Sequence, residues 1–268
     1  MFLENEYEDE KHSFEKFTED TPLLWCKMLS PFKNKQELWV PAQFLYLLYL
    51  GKKGESLIGY SSSGGLSCHN TLNKTFSHGM LEIIERDAIN ICWNCKIPPK
   101  KIIIQKELLT GRLKKIFDRF SYHMKDITFY LHQTDESYVV TAIKKDTSLS
   151  KYYFLAGGGV GSCIDEAIEG ALTEFIQAEN NLKNIIYTPD WSASAGINFM
   201  FNVPEDVNPK DLKLFYQIIP YYGYDKNFKK LNWYLNDGET IEYTKLTSEK
   251  RISDVILKNY FYIDITPN

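Results

Sequence analysis

Gly79-Met80-Leu81-Glu82-Ile83-Ile84-Glu85-Arg86-Asp87-Ala88 is the stretch on which the reading of this chain turns. It lies inside a predicted helix from about Leu72 to Asn94, which stops before the Pro98-Pro99 pair and can be capped by Asn70 or Thr71. Residues three and four apart share a helical face, so Glu82, Glu85 and Arg86 project together, with His78 one turn earlier. Met80, Leu81, Ile83, Ile84, Ala88, Ile89 and Ile91 place apolar side chains on nearly every side, so a largely buried helix is expected. Carboxylates buried without partners are costly, and a divalent cation would neutralise them. Glutamate oxygens suit Mg2+, which takes one or two protein carboxylates and fills its octahedron with phosphate and water, while an arginine can bridge phosphate bidentately. An intrahelical Glu82–Arg86 ion pair at four-residue spacing accounts for the same residues without any ligand.

Downstream, a basic helix is expected near Lys106 to Tyr122. The alternating segments Ile127 to Leu131 and Tyr138 to Ile143 have hairpin spacing. A strand near Tyr152 to Leu155 precedes Gly157-Gly158-Gly159-Val160-Gly161, read as a glycine-rich loop. Ser162-x-x-Asp165 then opens a second long helix to about Leu182. The loop is an anion-site candidate because it leads into a helix N-terminus, although the Lys-Ser/Thr of a phosphate-binding loop does not follow. In the second helix Glu174, Gln177 and Asn181 share a face that Gly170 and Ala178 leave low in bulk. Glu174 can share a metal and Gln177 can meet a base or ribose through donor and acceptor together; a solvated polar face is the competing account. Further signals are a short helix from Leu212 to Ile219 ending at Pro220, and a last strand from Tyr260 to Ile265.

Upstream, residues 1–20 are rich in acids and lysine and read as a mobile or partner-dependent lead-in, with a domain over 21–268. Across the 268 residues, 44% are hydrophobic and 25% charged, enough to bury a sizeable core. A net charge of −4 gives no general electrostatic reason to bind nucleic acid. The apolar run from Phe44 to Leu50 is far shorter than the roughly 20 residues of a spanning helix. No membrane association and a cytoplasmic location are expected. Five cysteines without a secretion signal predict reduced thiols, and Cys92-x-x-Cys95 lacks the second pair a structural zinc site needs.

The two helices and their lead-in loops resemble the YcaO family. Ser62-Ser63-Gly64-Gly65-Leu66-Ser67-Cys68-His69-Asn70-Thr71 followed by Glu82-x-x-Glu85-Arg86-Asp87-Ala88 is similar to the family's small-residue loop and carboxylate helix. Trp39-Val40-Pro41-Ala42, Leu172-Thr173-Glu174-Phe175-Ile176-Gln177 and Tyr262-Ile263-Asp264-Ile265-Thr266 match in the same order. The resemblance implies an α+β fold with antiparallel strands and two long helices around a nucleotide cleft. It implies ATP and Mg2+ used to activate a peptide-backbone amide, with Cys, Ser or Thr of a precursor peptide cyclised to an azoline in thiazole/oxazole or bacteriocin pathways. By the same resemblance Glu82 and Glu85 would be the metal ligands, Arg86 a phosphate contact, and Glu174 with Gln177 the second side of the ATP site. The family's earlier Ser-x-x-Glu-x-x-Glu-Arg helix and the segment after its Asp-Ile-Thr strand have no counterpart here, and Gly64 and His69 depart from its loop. A domain truncated at both ends is therefore expected, with three candidate roles: a cyclodehydratase component, one part of a split enzyme completed by another chain, or a noncatalytic subunit. The implied partners are a precursor peptide and a precursor-binding protein. Exposed apolar surface would favour oligomers.

Overall fold

The computed structural model describes residues 14–30, 36–47, 49–59, 62–121, 126–145, 154–187, 203–212 and 217–266. Thirteen residues of the expected lead-in, 1–13, lie outside these, as do parts of the predicted strand at 152–155 and helix at 212–219. The chain divides into two compact units, Met1–Leu66 with Ile252–Asn268, and Ser67–Arg251.

In the first unit β1 (Trp25–Leu29) pairs antiparallel with β2 (Glu37–Pro41), and Tyr262 bridges to Leu29. That bridge stands where a strand from 260 to 265 was expected. Gln43 is buried but fully used: its Oε1 accepts from the Ile58 N–H at 2.8 Å and its Nε2 donates to the Ser56 carbonyl at 3.1 Å. Phe17 packs edge-on to Trp25, and the Glu15 N–H donates to the Leu57 carbonyl, so the described end of the lead-in is hydrogen-bonded to this unit.

The second unit carries the first long helix, α1 (Leu72–Cys95), then β3 (Lys100–Ile103), α2 (Gly111–Arg119), β4 (Thr128–His132), β5 (Tyr138–Lys145), β6 (Phe154–Gly161) and the second long helix, α3 (Ile164–Tyr187). Three short helices follow, α4 (Ile218–Gly223), α5 (Asp225–Phe228) and α6 (Asn232–Asn236), and then β7 (Thr240–Glu242). The sheet order is β6-β5-β4-β3-β7, antiparallel except for the parallel β3–β7 pair. The α+β architecture expected from the sequence is thus present, and β6 is an edge strand.

Period-2 alternation splits the sheet into two packed faces. Phe129, Val140, Ala142 and Leu155 meet Leu113 and Phe117 of α2 and Ala167, Ile168, Ala171, Leu172 and Phe175 of α3. Tyr130, Ile143 and Phe154 point the other way, toward Cys92 of α1 and Leu231 and Tyr234. Helix α1 starts at Thr71, whose Oγ1 accepts from the Lys74 N–H at 3.4 Å, and stops where Lys96 turns left-handed at φ 54.

Several expectations are corrected. Only one stripe of α1 is buried, Gly79, Met80, Ile84, Glu85, Ala88 and Cys92, whereas Ile83 and Ile91 are exposed at 54% and 46%. The basic helix is shorter than predicted, a 3-10 turn at Lys106–Leu108 followed by α2, because Leu109 and Thr110 are extended between them and Gly111 opens α2 at φ 59. The glycine-rich stretch is no loop: it is the body of β6, paired residue by residue with β5 from Tyr138↔Gly161 to Lys145↔Phe154. Pro220 sits inside α4 instead of ending a helix; it falls in the first turn, where its missing N–H has no partner to lose.

Candidate functional site

The glycines of β6 explain how the site is built. A Cβ on Gly157 would strike the backbone of Ala171 and Phe175, and one on Gly159 the backbone of Ala167 and Ala171. With hydrogen at these positions α3 lies directly on the strand, and a Cβ added to Gly170 would stand 3.1 Å from the Gly159 Cα. Gly158 faces the opposite side. A Cβ there would overlap Glu85 Oε1 and stand 3.2 Å from Glu174 Oε2. The Gly158 N–H donates to Glu174 Oε2 at 2.6 Å.

Two carboxylates from two helices therefore converge on one glycine of an edge strand. Glu85, from α1, is 6% exposed; Glu174, from α3, is exposed. Burial pushes the Glu85 carboxyl up to about 7, Arg86 opposes that rise, and the negative charges of Glu174 and Glu82 add to it. The Arg86 Nη1 lies 3.9 Å from Glu85 Oε1, but the guanidinium is half-exposed and its charge is screened by water. Of the residues singled out in the sequence, Glu82, Glu85, Arg86 and Glu174 are electrostatically coupled around Glu85, with Glu82 half-buried one turn before it. Gln177 is exposed on the turn of α3 after Glu174.

Among the described residues no three His, Cys, Asp or Glu side chains form a group able to hold a metal ion. That excludes an all-protein cage within them and leaves a carboxylate pair, the number Mg2+ takes when phosphate oxygens complete its shell. The donors are oxygens, one of them belongs to a buried acid with no full counter-charge, and the cradle exists because Gly158 has no side chain. These residues fit a magnesium–nucleotide complex. The Gly158 amide is already occupied by Glu174, so the glycine stretch is not the anion loop its composition suggested.

One group went unnoticed in the sequence. Tyr130, Thr141 and Gly158 form a single cross-strand row. On it, Thr141 Oγ1 bonds to His132 Nε2 at 3.1 Å and to the Tyr234 hydroxyl at 2.5 Å, and Tyr234 closes the triangle to His132 at 3.0 Å. Burial pushes His132 down to about 4, which keeps it neutral beside the site. No local pattern signals a contact that joins residues so far apart in sequence.

A family model described as ATP- and Mg2+-binding YcaO cyclodehydratase matches residues 1–237. The chain belongs to the YcaO family. ATP and Mg2+ are thus the ligands of its family. A search of curated protein sequences finds no match. Among solved structures it is similar to YcaO from Methanopyrus kandleri bound with AMPPCP and Mg2+, with TM-score 0.58 and 17% identity over 90% of this chain and 56% of that one. It is also similar to a chain of the Escherichia coli microcin synthetase McbBCD complex, with TM-score 0.55 and 18% identity over 86% of this chain and 55% of that one. A heterocyclase in complex with substrate and cofactor gives TM-score 0.52 at 16% identity, over 86% of this chain and 27% of that one. At these identities the likeness is one of fold, and this YcaO chain spans little more than half, or less, of the structures it matches.

The remaining candidates are bland. All five cysteines are free; Cys92 is buried and its thiol is pushed up to about 11, while Cys95 is exposed. Among the described residues no helix is long and apolar enough to cross a membrane.

Proposed function

We propose that this chain supplies a Mg-ATP site for YcaO-type activation of a peptide-backbone amide, the reaction that cyclises Cys, Ser or Thr of a precursor peptide to an azoline. The observation that carries the proposal is the convergence of Glu85 and Glu174 on Gly158, with Glu85 buried and its carboxyl raised toward neutrality. A buried acid without a full counter-charge weakens the fold, and a cation held by Glu85 would remove that penalty. Mg2+ would supply charge neutralisation on the transferred phosphoryl group. Glu82 and Glu85 hold the metal, Arg86 contacts phosphate, and Glu174 with Gln177 form the second wall of the nucleotide site. Their work is positioning and electrostatic stabilisation, as in phosphoryl transfer generally. After the nucleophile has added to the carbonyl carbon, the resulting oxyanion would take the γ-phosphoryl group of ATP with release of ADP, and loss of inorganic phosphate together with the amide proton would leave the azoline C=N bond. The partners of this reading are a precursor peptide and a precursor-binding protein.

A second reading is a noncatalytic YcaO-like subunit that binds precursor or partner without turnover. Calorimetric titration with Mg-ATP, alone and with the products of neighbouring genes, separates the two. Binding by the native chain that Glu82→Gln and Arg86→Ala each weaken supports the first. Absence of binding in every mixture removes the nucleotide site altogether.

A further inference from the structure

We propose that His69 and His78 form a separate site for a borderline transition-metal dication, of the Cu2+, Ni2+ or Zn2+ class, at the start of α1. Both imidazoles are exposed, and their ring centroids stand 5.2 Å apart at an interplanar angle of 37°. The loop that carries His69 is tied back along the helix: the Ser67 hydroxyl donates to the Thr75 carbonyl at 2.6 Å, and the Thr71 side chain caps the Lys74 N–H. This fold-back sets His69 over His78, nine residues later in the chain. The arrangement owes nothing to the carboxylate pair at Gly158.

Asn70 orients the first ligand. Its side-chain oxygen lies 2.5 Å from His69 Nδ1 and its backbone N–H 2.8 Å from the same atom. One ring nitrogen cannot serve both, and metal binding selects between them: with the proton on Nδ1 and donated to Oδ1, Nε2 keeps its lone pair for a metal. A ligating histidine whose second nitrogen donates to an oxygen is the usual outer-sphere arrangement of imidazole sites. Nitrogen donors suit copper, nickel and zinc and reject Mg2+, so the ion differs from the one proposed for Glu82 and Glu85. The positive end of the helix dipole opposes a cation only in the first turn, whereas His78 lies in the second. Among the described residues no third His, Cys, Asp or Glu completes the group, so water fills the other positions and the site is open.

The test is titration of the full chain with Cu2+, Ni2+ and Zn2+, with Mg2+ as control, together with electron paramagnetic resonance of the copper form. The expected result is one equivalent of Cu2+ bound more tightly than Ni2+ or Zn2+, with coupling to two imidazole nitrogens. His69→Ala and His78→Ala are each expected to weaken binding by about tenfold or more and to remove one nitrogen from the spectrum. Asn70→Ala is expected to weaken binding while leaving both nitrogens. Both histidines are exposed, so metal-free thermal unfolding should match the native chain, which separates lost ligands from lost fold. The proposal is overturned if no copper binds, or if either histidine variant keeps the native affinity and spectrum.

Discussion

At the scale of single residues, Glu85 and His132 lie on the same side of the sheet and pull stability in opposite directions with pH. The Glu85 carboxyl titrates near 7 in the fold against an ordinary 4.5. The folded chain therefore binds the extra proton between these values, and stability falls as pH rises through the window. His132 titrates near 4 against an ordinary 6.5, so the unfolded chain takes the proton first and stability rises with pH over 4 to 6.5. The two slopes nearly cancel in the native chain, and single substitutions should expose them. Glu85→Gln is predicted to be more stable than the native chain by up to about 3 kcal/mol above pH 7, to lose that advantage near pH 4, and to lose Mg-ATP binding. His132→Gln is predicted to show the reverse slope, losing stability as pH rises from 4.5 to 7. Urea unfolding of both variants across this range is the measurement; parallel curves for the two would refute the opposition. The sequence identified Glu82, Glu85 and Arg86 as one polar face, since helical spacing is local. It did not reveal that Glu85 is the buried member, because the overlying Gly158 is far away in sequence.

At the scale of elements, β6 decides the geometry, and composition misled there. Five residues with four glycines read as a loop, yet pairing with β5 and the close approach of α3 hold them extended. The alternation in β4 and β5 was legible because each has two differently packed faces: Phe129 of β4 stacks on Phe117 of α2 and β5 lies on α3, while the opposite faces of both turn toward α1. Strand β3 was not: it begins with Lys100-Lys101 and borrows its parallel partner from Thr240–Glu242. Two neighbouring substitutions separate the two faces of β6. Gly159→Ala drives a methyl group into the backbone of α3, which cannot yield locally, and is predicted to cost about 1–3 kcal/mol or more. Gly158→Ala meets the far end of the Glu85 side chain, which can swing away. It should change stability little and abolish Mg-ATP binding. Thermal unfolding beside calorimetry reads both, and equal stability losses would mean that the two faces are not packed as described.

At the scale of the whole molecule, every side chain assigned to the nucleotide site belongs to the unit Ser67–Arg251, while the β1–β2 ribbon belongs to the other. The family resemblance was legible because its motifs are short and the deciding ones lie on that unit's two long helices, whereas the division into two units depends on residues 252–268 returning to 1–66, which no local pattern announces. A ligand that binds only the folded site stabilises it by mass action, about 2.7 kcal/mol at a hundredfold excess over Kd. Mg-ATP at that excess should therefore raise the unfolding midpoint of the native chain, EDTA should cancel the rise, and Glu85→Gln and Glu174→Gln should show none. Hydrogen exchange adds the location. Protection is predicted along β6 and the facing turns of α1 and α3, with the amides that join Leu29 to Tyr262 unchanged. Protection confined to the β1–β2 unit would move the nucleotide away from Gly158 and leave the two carboxylates as an ordinary strained pair.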